Sequence, residues 1–272
     1  AYPAATAEAW LDGHMGLAAK NIVLLGDQMQ LGQPTKAVHP EDSGRSALEF
    51  ILGDLPTIPP SQGIFLPQTW RMHENVCRWV SDNIYDGRLK PHPDNSNQHL
   101  ILDESAERNL RPTGISFLEV EHHGCSQRSQ EEAETVGKIY AGLIGQRYID
   151  REGIEGVVGC NNVLVVAPYN MQVNLLKRTP PDDARVGTVD KFQGQQAEVV
   201  ILSMTSSSGE DISRGIDFLL NKNRLNVAIS RARSLAVVVA SPRLLEASCS
   251  TVDRMALVNL LCSLQGYAQI LL

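Results

Sequence analysis

The sequence predicts an α/β fold, in which a mostly parallel sheet carries helices on both faces. Short apolar runs alternate along the chain with segments of helical period, and this alternation is typical of such a sheet. Several of the runs are apolar at nearly every position, which indicates strands that are buried on both sides. With 272 residues and a 43% hydrophobic content, the chain can also bury a sizeable core.

The strands and helices are predicted from these two patterns. The predicted strands are Asn21–Gly26, Gly63–Leu66, Ile115–Val120, Val163–Ala167, Val186–Val189, Glu198–Met204 and Leu235–Ala240. The predicted helices are Ser43–Leu52 with Ser43 as its cap, His73–Tyr85, Ser129–Ile144, Asn170–Lys177, Lys222–Ala232 and Val252–Leu264. The polar, proline-bearing segment Asp86–Pro112 predicts a long surface loop. Ligands of parallel sheets bind at the carboxyl ends of the strands, so the residues that follow each strand are the first candidates for a site.

Prolines divide the chain near its start. The segment from Leu55 to Gly63 holds three prolines and ends in a glycine, which excludes regular structure and predicts a linker over residues 55–62. Residues 63–272 should then form one compact domain, and residues 1–54 belong to another. The strand Asn21–Gly26 should lack the sheet that it needs and should expose apolar surface and unpaired backbone.

Composition excludes several classes of protein. The net charge of −7 and the pI near 5.5 give the whole chain no attraction to nucleic acid, so basic groups that bind one must be gathered on one face. Five widely spaced cysteines without a Cys-x-x-Cys pair argue against a disulfide framework and against a zinc site. The apolar runs are too short to cross a membrane. We expect no leader, no metal site, no membrane partner and a reducing cytoplasm.

Two polar segments of the first part of the chain are candidates for function. Gly26-Asp-Gln-Met-Gln-Leu31 presents polar side chains directly after a predicted strand, and taken alone it is best explained as a strand-to-loop turn. Gln68-Thr-Trp-Arg-Met-His-Glu74 places Trp70 and Arg71 outside the buried stripe of the following helix. An aromatic ring beside a guanidinium suits a purine next to its phosphates. Core packing of Trp70 and an ion pair of Arg71 explain them about equally well.

Two further candidates lie near the end of the chain. The segment Thr188–Leu202 turns around Gly194 and offers more donors and acceptors than a connection requires, although an ordinary loop with a left-handed glycine is the alternative. In Asn223–Arg233, Arg224 and Arg231 share one face of the predicted helix and can reach one anion together. A solvated arginine face is the alternative, and the apolar strand that follows directly makes it less favoured.

These four segments, in this order, resemble motifs III to VI of the superfamily 1 helicases. The matching residues are Gly26-Asp-x-x-Gln-Leu, Thr-Trp-Arg-Met-His, Thr-Val-Asp-Lys-Phe-Gln-Gly and Asn-Val-Ala-x-Ser-Arg-Ala-Arg, and Val-Val-Ala-Pro-Tyr-Asn-Met-Gln172 resembles a further family segment. The branch indicated is the 5′-to-3′ one that includes the nonsense-mediated-decay helicase. Within it, the chain is most similar to bacterial DNA helicases that follow a RecB-like nuclease domain.

The resemblance implies a RecA-like fold, with residues 1–54 as the end of a first RecA-like domain and residues 63–272 as the second. Such helicases hold ATP with magnesium between two RecA-like domains and move along a single strand. The implied catalytic residues are the γ-phosphate sensor Gln30 and the arginine fingers Arg71 and Arg231. The implied nucleotide contacts are Gln68, the adenine-stacking Trp70, Gly194 and Gln196. The implied nucleic-acid contacts are Pro168, Tyr169, Asn170, Thr188 and Lys191. We expect Trp70, Arg71, Gln196 and Arg231 at one edge of the sheet.

The chain departs from the family pattern in two places. Gln196 stands where the family usually has a glutamate, so it can bond here only as a neutral amide. The sequence contains no Gly-x-x-x-x-Gly-Lys-[Ser/Thr] loop and no Asp-Glu pair before Gly26, although ATP hydrolysis with magnesium requires both. The expected protein is a C-terminal fragment of an ATP-dependent helicase, inactive alone. Its expected partners are single-stranded nucleic acid, DNA rather than RNA, the missing first RecA-like domain and an upstream RecB-like nuclease domain.

One alternative is a standalone nucleic-acid-binding or interaction module without ATPase activity. The missing phosphate loop favours that alternative, whereas the presence of both Arg71 and Arg231 disfavours it, because binding alone does not require two fingers. A nuclease lacks support, since the pair His122-His123 and the scattered carboxylates form no recognisable metal site.

Overall fold

The computed structural model describes residues 23–32, 45–178 and 183–270. Contacts between residues divide the chain into two compact units, Ala1–Leu66 and Pro67–Leu272. The assignment of residues 1–54 and 63–272 to a first and a second RecA-like domain stays a prediction.

The described part of the first unit contains one short helix, α1 (Ala47–Leu52). Ser46 caps this helix: its hydroxyl accepts a hydrogen bond from the Glu49 amide at 3.2 Å, and the Glu49 carboxylate accepts one from the Ser46 amide at 2.6 Å. The helix therefore begins later than predicted, and the predicted cap, Ser43, lies outside the described residues.

The strand predicted over Asn21–Gly26 is wrong for the part that the structure describes. Residues 23–26 form no strand, and the side chains of Val23 and Leu25 are 81% and 91% exposed. An apolar run becomes a strand only when a neighbour completes its hydrogen-bonded ladder, and none of the described residues does so here. Residues 21 and 22 lie outside the described ranges.

The second unit alternates strands with helices. Its strands are β1 (Gln68–Thr69), β2 (Lys90–Pro91), β3 (His99–Ile101), β4 (Gly114–Glu119), β5 (Arg147–Ile149), β6 (Glu155–Val157), β7 (Val163–Val166), β8 (Arg185–Gly187), β9 (Ala197–Ser203) and β10 (Ala232–Ala240). Its helices are α2 (Glu74–Ile84), α3 (Gln130–Leu143), α4 (Asn170–Leu176), α5 (Ile216–Leu219), α6 (Lys222–Ile229) and α7 (Val252–Ile270). In the described ranges, no helix has both the length and the apolar character needed to cross a membrane.

Five parallel strands form the central sheet in the order β4-β10-β9-β7-β8. Side chains alternate between its two faces. Val165, Ile201 and Val237 point to the face covered by α3 and α4, where they join the main buried cluster. Helices α2 and α6 pack against the other face. The predicted fold class, an α/β fold with a mostly parallel sheet and helices on both faces, is confirmed.

Two predictions for the part of the chain before β4 are wrong. Residues 63–66 form no strand and leave Ile64 and Leu66 86% and 77% exposed, and the strand of this region is β1, which pairs with β2. The segment predicted as a loop, 86–112, contains β2, a 3-10 helix (Pro93–Asn97) and β3, which joins β5 and β6 in a small antiparallel sheet. Strands of two or three residues are too short to show a periodic pattern, so the sequence does not predict them.

The helix predicted over Lys222–Ala232 ends at Ile229, and β10 begins at Ala232. Arg231 therefore lies in the connection between a helix and a strand, and the prediction that it shares a helical face with Arg224 is wrong. The chain leaves the helix because Ala232 already pairs with β9, and this long-range pairing overrides the local helical pattern.

Candidate functional site

Arg71, which closely follows β1, is held by two parts of the chain that are distant in sequence. Its Nε donates a hydrogen bond to Oε1 of Gln196 at 2.9 Å, and its Nη1 donates one to the backbone carbonyl of Ser230 at 3.0 Å. Gln196 directly precedes β9, and Ser230 directly precedes Arg231 and β10. The structure thus brings Arg71, Gln196 and Arg231 together at one edge of the sheet.

Three arginines, Arg71, Arg231 and Arg233, form a guanidinium cluster at this edge. Burial, followed by the charges of Arg231 and Arg233, lowers the pKa of Arg71 to about 10. Arg233 donates from Nη1 to Oε1 of Glu198 at 2.6 Å, and Arg231 is only 2% exposed. A lowered pKa means that the folded chain disfavours the charged form of Arg71. An anion that binds beside the cluster relieves this cost, so the cluster favours anion binding.

Trp70 presents an exposed ring next to the cluster. The side chain is 57% exposed, and its ring stacks on His92 with the centroids 3.8 Å apart and the planes inclined by 24°. The guanidinium carbon of Arg151 lies 5.4 Å from the Trp70 centroid. Gln68, the other predicted nucleotide contact of this segment, is an exposed residue of β1. An exposed indole of this kind can stack a base.

Gly194 shapes the turn that leads into β9. The turn follows a 3-10 helix (Asp190–Phe192), and Gly194 has φ +84°, a conformation that favours glycine. A Cβ at this position would meet nothing within 4 Å, so the backbone conformation rather than space selects glycine. The turn delivers Gln196 to the start of β9, where its side chain meets Arg71.

The guanidinium cluster lies at the amino ends of β9 and β10. The sequence-based expectation that candidate residues follow the strands is therefore wrong for this site. Gln196 and Arg231 lead into their strands, and Arg71 follows β1, which is not part of the central sheet. A general tendency of parallel sheets does not apply where residues from outside the sheet complete the site.

The predicted nucleic-acid contacts lie at the opposite, carboxyl edge of the sheet. Pro168, Tyr169 and Asn170 come after β7, and Thr188 follows β8. Asn170 is exposed, whereas Tyr169 is 4% exposed and packs on Phe218 with the ring centroids 5.5 Å apart. Within this turn, Asn170 rather than the Tyr169 ring is therefore open to a nucleic acid.

Lys191, the basic member of this predicted set, is an exposed residue. Its ammonium donates to the carbonyl of Val186 at 3.3 Å and lies 5.7 Å from the Phe192 ring centroid. An ammonium has three donors, so this contact leaves Lys191 able to bind a phosphate as well.

Helix α6 connects the two edges of the sheet. Near its start, Arg224 pairs with Asp190 at 3.3 Å and lies 4.4 Å from the Phe218 ring centroid, close to the predicted nucleic-acid contacts. Just beyond its end, the Ser230 carbonyl accepts the hydrogen bond from Arg71. Eight helical residues rise by only about 12 Å, so one short rigid element reaches both sets.

Gln30 lies in the first unit, in a turn that Asp27 closes. Its side-chain Nε2 donates to Oδ2 of Asp27 at 2.8 Å, and its backbone amide donates to the Asp27 carbonyl at 3.2 Å. The side chain is therefore oriented by Asp27, and its role as a phosphate sensor stays a prediction.

Metal-ligating side chains are scattered over the part of the chain that the structure describes. Within it, no three or more histidine, cysteine, aspartate or glutamate side chains are grouped to hold a metal ion.

A family model described as an AAA domain matches residues 45–243, which is most of the chain. The DNA polymerase alpha-associated DNA helicase A of Saccharomyces cerevisiae is 32% identical over 242 residues, and the match covers 83% of this chain and 35% of the yeast protein. The chain belongs to the AAA domain family of superfamily 1 helicases.

Further relatives agree with this family. The rat DNA-binding protein SMUBP-2 is 30% identical over 234 residues, which is 82% of this chain and 22% of that protein. The regulator of nonsense transcripts 1 homolog of Drosophila melanogaster is 26% identical over 245 residues, which is 84% of this chain and 19% of that protein. The chain thus spans only a minor part of the length of these relatives. Among solved structures, an arterivirus nonstructural protein 10 (helicase) matches 65% of this chain and 25% of its own at 16% identity and a TM-score of 0.29.

The candidate site includes residues that sequence patterns did not single out. Arg233 and Ser230 lie inside the last motif, so the motif itself was a signal for them. His92 and Arg151 carry no such signal, because one lies in a segment predicted as a loop and the other in the connection between the short strands β5 and β6.

Gln196→Glu should stabilise the folded chain modestly. A carboxylate would accept the hydrogen bond from Arg71 and offset part of the positive charge of the guanidinium cluster. Because Gln196 is exposed, the free energy of unfolding should rise by at most about 1 kcal/mol, and the gain should shrink as salt screens the pair. Thermal unfolding of both proteins at low and high salt measures the change in stability and its dependence on salt. The control Gln193→Glu adds the same charge at an exposed position of the same turn, and equal stabilisation by both would exclude the cluster as the cause.

Proposed function

We propose that the chain is the C-terminal part of an ATP-dependent superfamily 1 helicase, in which it supplies arginine fingers and part of the nucleic-acid track. The observation that carries this proposal is the placement of Arg71, whose guanidinium is fixed by Gln196 and by the Ser230 carbonyl beside Arg231. Fixed positive charges of this kind stabilise the negative charge that develops on a transferred phosphoryl group.

The described residues fit a nucleoside triphosphate. Arg233 is paired with Glu198, whereas Arg71 is held by a neutral amide and a carbonyl, so the guanidinium cluster keeps positive charge for a polyphosphate. Trp70 offers exposed ring surface to a base. Magnesium-bound ATP would supply the phosphoryl group that is transferred to water. The chain's own residues would bind the phosphates and stack the base, while the phosphate loop and the magnesium ligands would come from another domain.

We propose a single strand of nucleic acid as the polymer, and DNA rather than RNA. The names of two relatives, a DNA-binding protein and a DNA helicase, support DNA. The name of the third relative, a regulator of nonsense transcripts, favours RNA instead. The 5′-to-3′ direction and an upstream RecB-like nuclease domain rest on the motif resemblance, and a reducing cytoplasm rests on the cysteine pattern.

The chain should bind single-stranded DNA weakly, and this binding should fall steeply as salt rises. The chain has a net charge of −7, which repels DNA. Only a few phosphate contacts, near Asn170, Thr188 and Lys191, oppose this repulsion. Fluorescence anisotropy with a labelled oligonucleotide at several salt concentrations measures both properties. Lys191→Ala should weaken binding and reduce the logarithmic salt slope by about 1.

The control for this experiment is Lys138→Ala, which removes the same charge from an exposed position of α3. It should leave binding close to that of the unaltered chain. Tight binding that is insensitive to salt would contradict the proposed track and would favour a standalone binding module.

A further inference from the structure

A network of buried polar side chains adjoins the proposed nucleic-acid track. The His122 ring and the Glu132 carboxylate are both completely buried, and Nε2 of His122 lies 3.0 Å from Oε1 of Glu132. The second carboxylate oxygen, Oε2, accepts hydrogen bonds from the Ser203 hydroxyl at 2.6 Å and from the Thr205 amide at 2.8 Å. Burial of a carboxylate is costly unless it is hydrogen-bonded, and here both of its oxygens have hydrogen-bond partners.

Ser207 and Gln172 extend the network on its two sides. The Ser207 hydroxyl accepts from the Cys125 amide at 2.9 Å and lies 2.7 Å from Nδ1 of His122. Nε2 of Gln172 donates to the Ser203 hydroxyl at 3.0 Å. When the His122 proton is assigned to Nε2, every one of these bonds has one donor and one acceptor. The network is therefore satisfied throughout, and such networks hold their members in one arrangement.

Gln172 ties the start of α4 to α3. Its Oε1 accepts from the Ser129 amide at 2.9 Å, and its Nε2 donates to the Ser129 carbonyl at 3.1 Å. Ser129 in turn caps α3, because its hydroxyl accepts from the Glu132 amide at 3.1 Å. Gln172 is the third residue of α4, whose first residue is Asn170. The turn of the proposed track is thus anchored to the buried pair through Gln172 and Ser203.

Thr205 shows that the network also determines backbone geometry. This β-branched residue is completely buried and has φ +75°, a conformation that such residues rarely adopt. Its amide donates to Glu132, so the carboxylate holds the strained backbone in place. Thr205 lies just beyond β9, at the same carboxyl edge of the sheet as the turn before α4.

We propose that the His122–Glu132 pair positions the nucleic-acid track. Acting through Gln172 and Ser203, it holds the turn 168–170 at a fixed spacing from the buried segment after β9, so that the exposed Asn170 is placed to meet the phosphates of a bound strand. This inference rests on the proposed function, which places the track at this edge. His122 and Glu132 are positioning residues.

Glu132→Gln tests the inference, since it keeps the size of the side chain and removes its charge. The measurements are made at a temperature at which thermal unfolding shows each variant to be folded. The affinity of Glu132→Gln for labelled oligothymidylate of about fifteen nucleotides should be at least tenfold lower than that of the unaltered chain. Amide hydrogen exchange should become faster over residues 168–172 and 203–207 and stay unchanged in the rest of the sheet. The matched control is Glu134→Gln, an exposed residue of α3 that accepts from Gln130 at 3.0 Å, and it should change neither measurement.

Ser203→Ala is the second variant, and it tests the same inference if Glu132→Gln does not fold. It removes one donor to the carboxylate and one acceptor for Gln172 and should shift both measurements in the same direction. Unchanged affinity and exchange in a folded variant overturn the inference. Faster exchange over the whole sheet also overturns it, because that shows only a loss of stability. If the unaltered chain binds no strand, the proposed track fails, and local exchange still decides whether the pair holds the turn.

Discussion

Incubated with ATP, magnesium and single-stranded DNA, the 272-residue chain alone should release no phosphate above background. Phosphoryl transfer requires backbone amides that cradle the phosphates, a lysine beside them and a carboxylate-held magnesium ion. The sequence carries neither of the motifs that supply these groups. The guanidinium cluster can stabilise a transferring phosphoryl group only when another domain presents one. Turnover should therefore depend wholly on that domain.

A longer protein that adds an upstream phosphate-loop domain should hydrolyse ATP, and single-stranded DNA should accelerate it. A phosphate-release assay on both proteins at equal molar concentration makes the comparison. The control is the longer protein with the lysine of its phosphate loop replaced, which should be as inactive as the short chain. Robust turnover by the 272 residues alone would refute the proposed division of labour between the two domains.

The central sheet could be predicted because its strands are buried on both faces. β7, β9 and β10 are almost wholly apolar, and all three are buried along nearly their whole length. A short run of this kind between helical segments is typical of a strand inside a parallel sheet, so the existence of these strands and their parallel orientation follow from composition and alternation alone. The apolar run does not mark the start of β10, which begins at Ala232 rather than at Leu235.

The short strands and the order of contacts between them could not be predicted. β1 and β2 contain two residues each, and β3, β5 and β6 contain three, which is too few to distinguish a strand from a loop. These strands nevertheless build part of the site. β1 directly precedes Trp70, and the connection between β5 and β6 brings Arg151 to its ring. Such contacts depend on tertiary pairing, which no local pattern encodes.

The candidate site could be predicted as a set of residues but not as a geometry. The motif resemblance named Arg71, Gln196 and Arg231, and the structure brings these three together. The predictions that candidate residues follow the strands and that Arg231 lies in a helix were wrong for this site. Both features depend on where β9 and β10 begin. Pairing between these two strands, not the local sequence, decides that position.

The arrangement of α6 makes the two edges of the sheet dependent on each other. A shift of this helix along its axis would move Arg224 away from Asp190 at one end and the Ser230 carbonyl away from Arg71 at the other. The helix is packed against β9 and β10, so such a shift would be a rigid-body movement rather than a local fluctuation. If the proposed sites are correct, an element of this kind can couple binding of the ATP phosphates at one edge to binding of the nucleic acid at the other.

Within the longer, active protein, Arg71→Ala and Arg231→Ala should each lower the turnover number for ATP by about 10³-fold or more. Each change removes a fixed positive charge that acts on the charge developing at the γ-phosphoryl group. That charge is greatest in the transition state, so the turnover number should fall much more than the Michaelis constant for ATP rises. Steady-state phosphate release over a range of ATP concentrations separates the two constants.

The controls differ for the two arginines because their surroundings differ. Arg231 is 2% exposed, so its alanine variant also loses packing, and Arg231→Lys keeps the charge and most of the stem. The lysine variant should restore stability but not full turnover, since an ammonium lacks the fork of the guanidinium. Arg243→Ala removes an exposed arginine outside the cluster and should leave turnover unchanged. A folded Arg231→Ala or Arg71→Ala protein with unaltered turnover would exclude that arginine as a finger, because a charge that acts on the transition state cannot be removed without slowing the reaction.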